Sequence, residues 1–332
     1  MPNLRIATFN LENLDDKPSE KPTLNERLAV LRPQLTRVNA DVLCLQEVNG
    51  QEETGQPRRL LALQKLLEGT KYGDYNIVST KTADGRNVYD VRNLVILSRF
   101  EIISHRQYRH DAELGAPIPL YRKVTASPAE NEAREVSWER PILYAQISLP
   151  NGGILHVLNL HLKSRLPTNV TGQMLNGYTW KTAQGWAEGY FLSAMKRVGQ
   201  AFETRILIDK LFDAEAEAMI VVCGDFNAED GDVPLAAIRG EVENTGNARL
   251  INRVLVPCER SIPESSRYSL LHQGRGAMLD HVLASRSLLA HYRSAEIHNE
   301  SLHDESLAFA DDMKFPESDH APVVAEFELP GG

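Results

Sequence analysis

"VVCGDFNAED", Val221–Asp230, sets an apolar run suited to a buried strand directly against a glycine, a carboxylate and an amide. Gly, Asp and Asn are turn formers, so in one reading the strand simply ends here. In another, the strand end presents reactive groups. The decapeptide leaves both open, and the rest of the chain decides between them.

Working outward, more short runs rich in Val, Ile and Leu read as strands. They are "LRIATFN" (4–10), "DVLCLQEV" (41–48), "NLVILSRF" (93–100), "PILYAQISL" (141–149), "ILHVLNLHL" (154–162), "MIVVCGDF" (219–226), "LDHVLAS" (279–285) and "PVVAEFEL" (322–329). "NGG" at 151–153 reads as a hairpin turn. Helical spacing places Leu24, Leu28, Leu31, Leu35 and Val38 on one face, and Val198, Phe202, Ile206 and Leu211 on another. Strands with interspersed helices, and no linker or repeat, predict one α/β domain over 1–332 with two sheets and helices outside. Two stretches, about 104–139 and 165–195, read as inserted loops. The second carries Tyr178, Trp180, Trp186, Tyr190 and Phe191 with Arg165 and Lys181, either a stacking surface or an aromatic mini-core.

A chain of 332 residues with 42% hydrophobic content is long enough for a sizeable core. The net charge of −9 argues against a wholly basic nucleic-acid surface, while 36 Lys and Arg still allow a local basic groove. Cys44, Cys223 and Cys258 form neither a disulfide framework nor a zinc spacing. No signal-peptide pattern and no apolar run near the ~20 residues of a membrane span is visible, so a cytoplasmic protein is expected.

"GDFN" is one of several strands ending in polar residues. Asn10 ends the first, Glu47 follows "VLCLQ", and Asn159, His161 and Lys163 alternate with Leu160 and Leu162. Asp280 and His281 open another strand, and Asp319 and His320 precede the last. Any one of these fits a turn, an exposed end or a satisfied core histidine. Six on six elements suggest one convergent site. Carboxylates with an amide suit a hard cation such as Mg²⁺. A histidine beside an aspartate can donate to a developing oxyanion, and a carboxylate free of metal can take a proton from water. Together these fit metal-assisted phosphate-ester hydrolysis. No H-E-x-x-H, P-loop or G-x-S-x-G motif is present to favour zinc, nucleotide triphosphate or serine chemistry.

"IATFNLENL", "DVLCLQEV", "NLVILSRF", "LNLHLKS", "VVCGDFNAE", "LDHVLAS" and "SDHAPVVAEF", in this order, resemble the endonuclease/exonuclease/phosphatase superfamily with its deoxyribonuclease I-like fold. The resemblance implies a four-layer α/β/β/α sandwich of two mixed, mainly antiparallel sheets packed face to face, and divalent-metal-dependent phosphoester hydrolysis. By position it implies Glu47 as principal Mg²⁺ ligand with Asn10 beside it and Asp319 completing the metal environment. Asp225 would activate or align water, Asn227 would hold a phosphate oxygen, and His320, oriented by Asp280, would contact the scissile phosphate. His161 matches a second phosphate-contacting histidine. "GRNVYDVRNL" (85–94) and Arg140 resemble the deoxyribonuclease branch, where such an arginine touches the DNA backbone. There an acidic residue supports the first histidine; by spacing, Val91 stands in its place here, next to Asp90.

The expected activity is a Mg²⁺-dependent phosphodiesterase, a nuclease first, with Mn²⁺ or Ca²⁺ as substitute metals. Asn10, Arg140 and Lys163 are the expected substrate contacts, and a monomer is the expected state. A phosphatase or phospholipase acting on small phosphoesters is the alternative within hydrolases. A non-catalytic scaffold fits poorly with an intact residue set.

Overall fold

The computed structural model describes residues 3–18, 20–307 and 314–330. In chain order the strands are β1 (Asn3–Leu14), β2 (Val42–Val48), β3 (Asn76–Ser79), β4 (Asn93–Ser98), β5 (Ile102–Tyr108), β6 (Leu120–Tyr121), β7 (Arg134–Glu135) and β8 (Ile142–Ser148). They continue as β9 (Ile154–His161), β10 (Met219–Asp225), β11 (Leu255–Pro257), β12 (Leu270–His272), β13 (Arg275–Ala277), β14 (Asp280–Ser285), β15 (Tyr292–Ile297) and β16 (Val323–Glu328). One six-stranded sheet has the order β15-β16-β1-β2-β4-β3, the other β11-β14-β10-β9-β8-β5. The principal helices are α1 (Leu24–Val38), α2 (Leu61–Leu67), α3 (Ala183–Ala214) and α4 (Val233–Arg239), with short α5 (Val242–Thr245) and α6 (Arg286–Leu289).

Each sheet is antiparallel except for one central parallel pair, β1–β2 in the first and β9–β10 in the second. The two sheets pack face to face over one apolar core. Helices α1 and α2 cover the outer face of the first sheet, and α3 and α4 that of the second. This is the four-layer sandwich expected. All eight expected strands are present, and Leu24, Leu28, Leu31, Leu35 and Val38 form the buried stripe of α1. A capping box between Thr23 and Glu26 starts that helix. The expected hairpin joins β8 to β9, with Leu149 N–H donating to Gly153 O.

The period of two along a strand sorts side chains between the layers. On the inter-sheet face Leu4 and Ile6 of β1, Val42 and Cys44 of β2, Leu155 and Val157 of β9, and Val221 and Cys223 of β10 are apolar. One step along, polar residues replace them. Gln46 Nε2 donates to Asn159 Oδ1 at 2.7 Å across the sheets, and Thr8 joins through its hydroxyl. Asn159 Nδ2 donates to Leu45 O and Val95 O of the opposite sheet. One step further the same face reaches Asn10, His161 and Asp225. The Asn159 bridge therefore fixes the offset of the two sheets directly beneath the site. Asn159→Leu leaves several buried polar groups unpaired at once, and urea unfolding should show a stability loss of about 3 kcal/mol.

Three expectations are corrected. The 104–139 loop begins inside β5 and contains the β6–β7 ribbon. The 165–195 loop is helical from Ala183 onward, so α3 runs 32 residues. The core-facing stripe of α3 is Ala201, Thr204, Leu207, Ile208 and Phe212; of the expected face, Ile206 and Leu211 flank that stripe and pack against the core half-buried, Val198 is half-buried and Phe202 is exposed. Gln200, Glu203 and Thr204 share the buried face. Those polar residues dilute the apolar periodicity that would have placed the helix correctly. Strands β3, β5 and β15, at or next to sheet edges with many exposed positions, were not anticipated. No described helix is long and apolar enough to cross a membrane.

Candidate active site

The parallel pairs explain why reactive groups converge. β1, β2, β9 and β10 all deliver their C-terminal ends to one edge of the sandwich. The antiparallel neighbours β14 and β16 start from that edge, bringing Asp280 opposite Asp225 and His320 beside both. The structure thus brings Asn10, Glu47, His161, Asp225, Asn227, Asp280, Asp319 and His320 together at this edge. His281 is not among them. It faces the outer layer, where Nδ1 meets Glu259 Oε1 at 2.6 Å and Nε2 meets Ala228 O at 2.8 Å, tying down the loop after "GDFN".

Asp225 is the hub. Its Oδ2 accepts from Asn10 Nδ2 (3.1 Å) and Asn227 Nδ2 (3.0 Å), and His161 Nε2 lies 3.3 Å away. Its Oδ1 accepts from the Asn227 N–H at 2.9 Å and keeps a lone pair free. Burial alone would raise this carboxyl, but the histidines and the Asn227 N–H outweigh it and hold Asp225 well below the usual carboxylate range. Both amide hydrogens of Asn227 are engaged, by Asp225 and by Leu162 O. Contact with a phosphate would require one of these bonds to break.

Burial, reinforced by Arg140, lowers His161 and keeps it neutral. Its Nε2 faces Asp225 and Glu47 (3.5 Å), which places the proton there, and Nδ1 is buried without a partner among the described residues. Val91 is half exposed, and the Asp90 carboxylate points toward Arg58 instead. The acidic support that the resemblance implies is therefore absent. His320 is different. Burial opposes its charge, but Asp280, 2.6 Å from Nδ1, outweighs burial with help from Asp319 and Asp225 and raises it well above the ordinary histidine value. The pair shares one proton and titrates as a unit.

Glu47 follows Gln46 and by strand alternation should face outward. A break in register between Leu45 and Val48 and a φ of 56° at Glu47 turn it back to the edge. Glu12 (φ 44°), Asn13 (φ 52°), Arg92 (φ 60°) and Asn227 (φ 49°) are also left-handed. Strained non-glycine backbone clusters at functional sites. Sequence reading missed Glu12. Its Oε2 accepts from the Asp319 N–H at 3.1 Å, and Arg27 binds the Leu11 and Glu12 carbonyls beneath it. Only the left-handed turn brings Glu12 inward, and the residue string carries no sign of it beyond "NLEN".

Burial raises Glu12 to about 8, with Asp319 adding to it and Arg27 opposing. Burial likewise raises Asp319 to about 6, with Glu47 adding to it. Asp319 Oδ1 is buried with no partner among the described residues. Crowded carboxylates with an orphaned oxygen are the donor set a hard divalent cation would satisfy. Glu47, Asp319 and Glu12 are the carboxylates that could supply it, although their ligand atoms do not all lie within 4.8 Å of one another here. Asn10 turns its amide to Asp225 and its carbonyl to the Glu12 N–H, so here it positions both neighbours. Ligand-type atoms of Asp225, Asp280 and His320 do lie within 4.8 Å of one another, but the shared proton on His320 makes that group a hydrogen-bonded unit rather than a cation cage.

A cavity of ≈ 390 Å³ lies beside Glu47, with Arg92, Arg140 and Lys163 in its wall together with the acids Asp90 and Glu139. Arg140 is anchored by donating to Leu162 O at 2.9 Å. Burial lowers the Lys163 ammonium to about 8; Glu139 offsets part of this, and the cations Arg140, Lys196 and Arg197 add to it. Gln200 of α3 ties this wall together, accepting from Lys163 N and donating to Arg140 O.

A model described as the Endonuclease/Exonuclease/phosphatase family matches residues 7–320. No curated protein sequence matches the chain. Among solved structures, humanized TDP2 of D. rerio carrying 14 mutations is 17% identical with a TM-score of 0.55, covering 98% of this chain and 99% of that one. The 3′ phosphatase NExo from Neisseria, bound to a product DNA hairpin, is 17% identical with a TM-score of 0.53, covering 98% and 100%. An AP endonuclease from Archaeoglobus fulgidus is 17% identical with a TM-score of 0.51, covering 98% and 100%. At such identities the likeness is one of fold.

Proposed function

Because the chain belongs to the endonuclease/exonuclease/phosphatase family, we propose that it is a divalent-metal-dependent phosphodiesterase, and specifically a nuclease. The observation that carries this is Asp225. It is a buried carboxylate held anionic, with one acceptor position free, between the carboxylates of Glu47, Asp319 and Glu12 and the cationic wall of Arg140 and Lys163. That wall also favours a diester whose flanking groups extend past the phosphorus, and one of the solved structures named above is described as an AP endonuclease.

In this reading a water donates a hydrogen bond to Asp225 Oδ1, which aligns it and takes its proton as the new P–O bond forms. His320 donates from Nε2 to a phosphoryl oxygen, and Asp280 holds its ring and its charge. His161 donates from Nε2 to Asp225 and keeps that carboxylate in place. When bound among Glu47, Asp319 and Glu12, the metal (Mg²⁺, with Mn²⁺ or Ca²⁺ as substitutes) would supply positive charge to the phosphoryl group. The P–O bond to the leaving alkoxide then breaks.

The test is hydrolysis of plasmid DNA, an abasic-site duplex, RNA, bis-p-nitrophenyl phosphate and p-nitrophenyl phosphate with Mg²⁺ or EDTA. Metal-dependent cleavage of diesters is expected, and turnover of the monoester alone would overturn the proposal. Lys163 adds a pH signature. It is cationic below about 8 and loses its charge above it. KM for an anionic substrate should therefore rise as pH climbs through 8, and Lys163→Arg should abolish that rise.

A further inference from the structure

The segment from Lys163 to Arg197 contains five basic residues and one acid, Glu188, in a chain of net charge −9. Glu188 is turned inward, accepting from the Val124 and Thr125 N–H groups, the Tyr121 hydroxyl and the Thr125 hydroxyl. Arg165 anchors the segment to the catalytic loop through Asn227 O and Asp232. Lys163 and Lys181 have no salt-bridge partner among the described residues.

The aromatic residues of this segment divide. Trp180 packs with Tyr121 and Met195 on a small cluster of Ala126, Val136, Val170 and Leu192. The others lie outside it. Trp186 and Tyr190 stack with centroids 5.6 Å apart at 30°, yet stay 47% and 43% exposed. Tyr178 is 92% exposed. Trp186, Tyr190 and Ser193 are spaced i, i+4, i+7, on one side of α3. Ser193 Oγ donates to Leu166 O at 2.7 Å, and Lys163 Nζ reaches the same carbonyl at 3.5 Å. At ~1.5 Å rise per residue, Trp186 lies about 10 Å along the helix from the point where α3 meets the loop carrying Lys163. The ring pair thus lies on the side of α3 that packs against the loop running back to Lys163, a residue of the cavity wall.

We propose that the 163–197 segment is a platform for single-stranded nucleic acid. Bases stack on Trp186 and Tyr190, and the phosphate backbone runs past Lys181 and Lys163 into the active site. Half-exposed rings in a shallow stack offer faces that any unpaired base can cover, and the net positive segment complements the backbone. Duplex bases, already stacked, offer no such face. The inference rests on the phosphodiesterase reading above and names the form of its substrate.

The test measures anisotropy of a labelled short thymidylate oligomer with the full chain in EDTA. An oligomer of equal phosphate number but lacking bases, and phosphatidylcholine vesicles, are the comparisons. The thymidylate oligomer is expected to bind roughly tenfold tighter than the abasic one. Trp186→Ala with Tyr190→Ala should lower affinity for the thymidylate oligomer roughly tenfold, and Trp186→Phe, which keeps a ring, should hold it within about twofold. Equal binding of both oligomers, equal binding by wild type and the double variant, or vesicle binding that depends on the two rings without oligomer binding would each overturn the proposal. Wild-type turnover of bis-p-nitrophenyl phosphate separates the two readings. Turnover without base-dependent binding sinks the platform and keeps the chemistry, while base-dependent binding without turnover of any diester does the reverse.

Discussion

Asp225→Asn is expected to reduce kcat on a diester roughly a thousandfold while leaving the fold intact. The substitution is nearly isosteric. It preserves acceptance at one oxygen but removes the charge and sets an amide hydrogen against the Asn227 N–H or the Asn10 and Asn227 amides. A carboxyl held well below its ordinary range is one the fold stabilises as the anion, so the neutral variant loses that contribution and should melt a few degrees below wild type while still folding fully. Paired measurement of kcat and Tm checks this. Wild-type turnover in Asp225→Asn would remove the carboxylate from the chemistry. A large drop in Tm would mean its main role is structural.

Gly224→Ala should have the largest effect on stability, about 4 kcal/mol, seen as a Tm lower by roughly 10 °C. Gly224 has φ 140°, and a Cβ there would lie 2.0 Å from Leu160 O, on the parallel neighbour β9. The obstacle is backbone, so no rotamer change relieves it. Relief requires β9 and β10 to part, and that displaces His161 and Asp225 together. Gly231→Ala is the matched control. Nothing lies within 4 Å of its added Cβ and its φ is not positive, so its stability should stay within about 0.5 kcal/mol of wild type. Chemical unfolding of both variants tests the comparison.

Sequence reading succeeded where alternation and motif coincide. Asp225, His161 and Asn10 extend apolar strands in register, so their inward direction follows from the period of two. It failed where backbone conformation breaks that period. Glu12 comes inward only through a left-handed turn that no residue type there demands. The α3 face was misplaced because Gln200 and Glu203 serve as polar braces on a buried stripe, with Glu203 accepting from Trp138 Nε1 and Asp111 N–H. His281 was grouped with the site by adjacency to Asp280, although neighbouring strand residues face opposite layers. The orphaned Nδ1 of His161 was foreshadowed by Val91, a departure visible in the string.

The position of β16 between β15 and β1 has a consequence for biosynthesis. The last strand in order inserts beside the first, pairing Asn3 with Glu328, and His320 and Asp319 ride immediately ahead of it. A nascent chain can form the β9–β10 pair and orient Asp225 long before these residues exist. Contacts of such long sequence separation form late. Until β16 docks, the emerging polypeptide holds Asp225 without His320, so in the mechanism proposed above the site is completed only with the final strand.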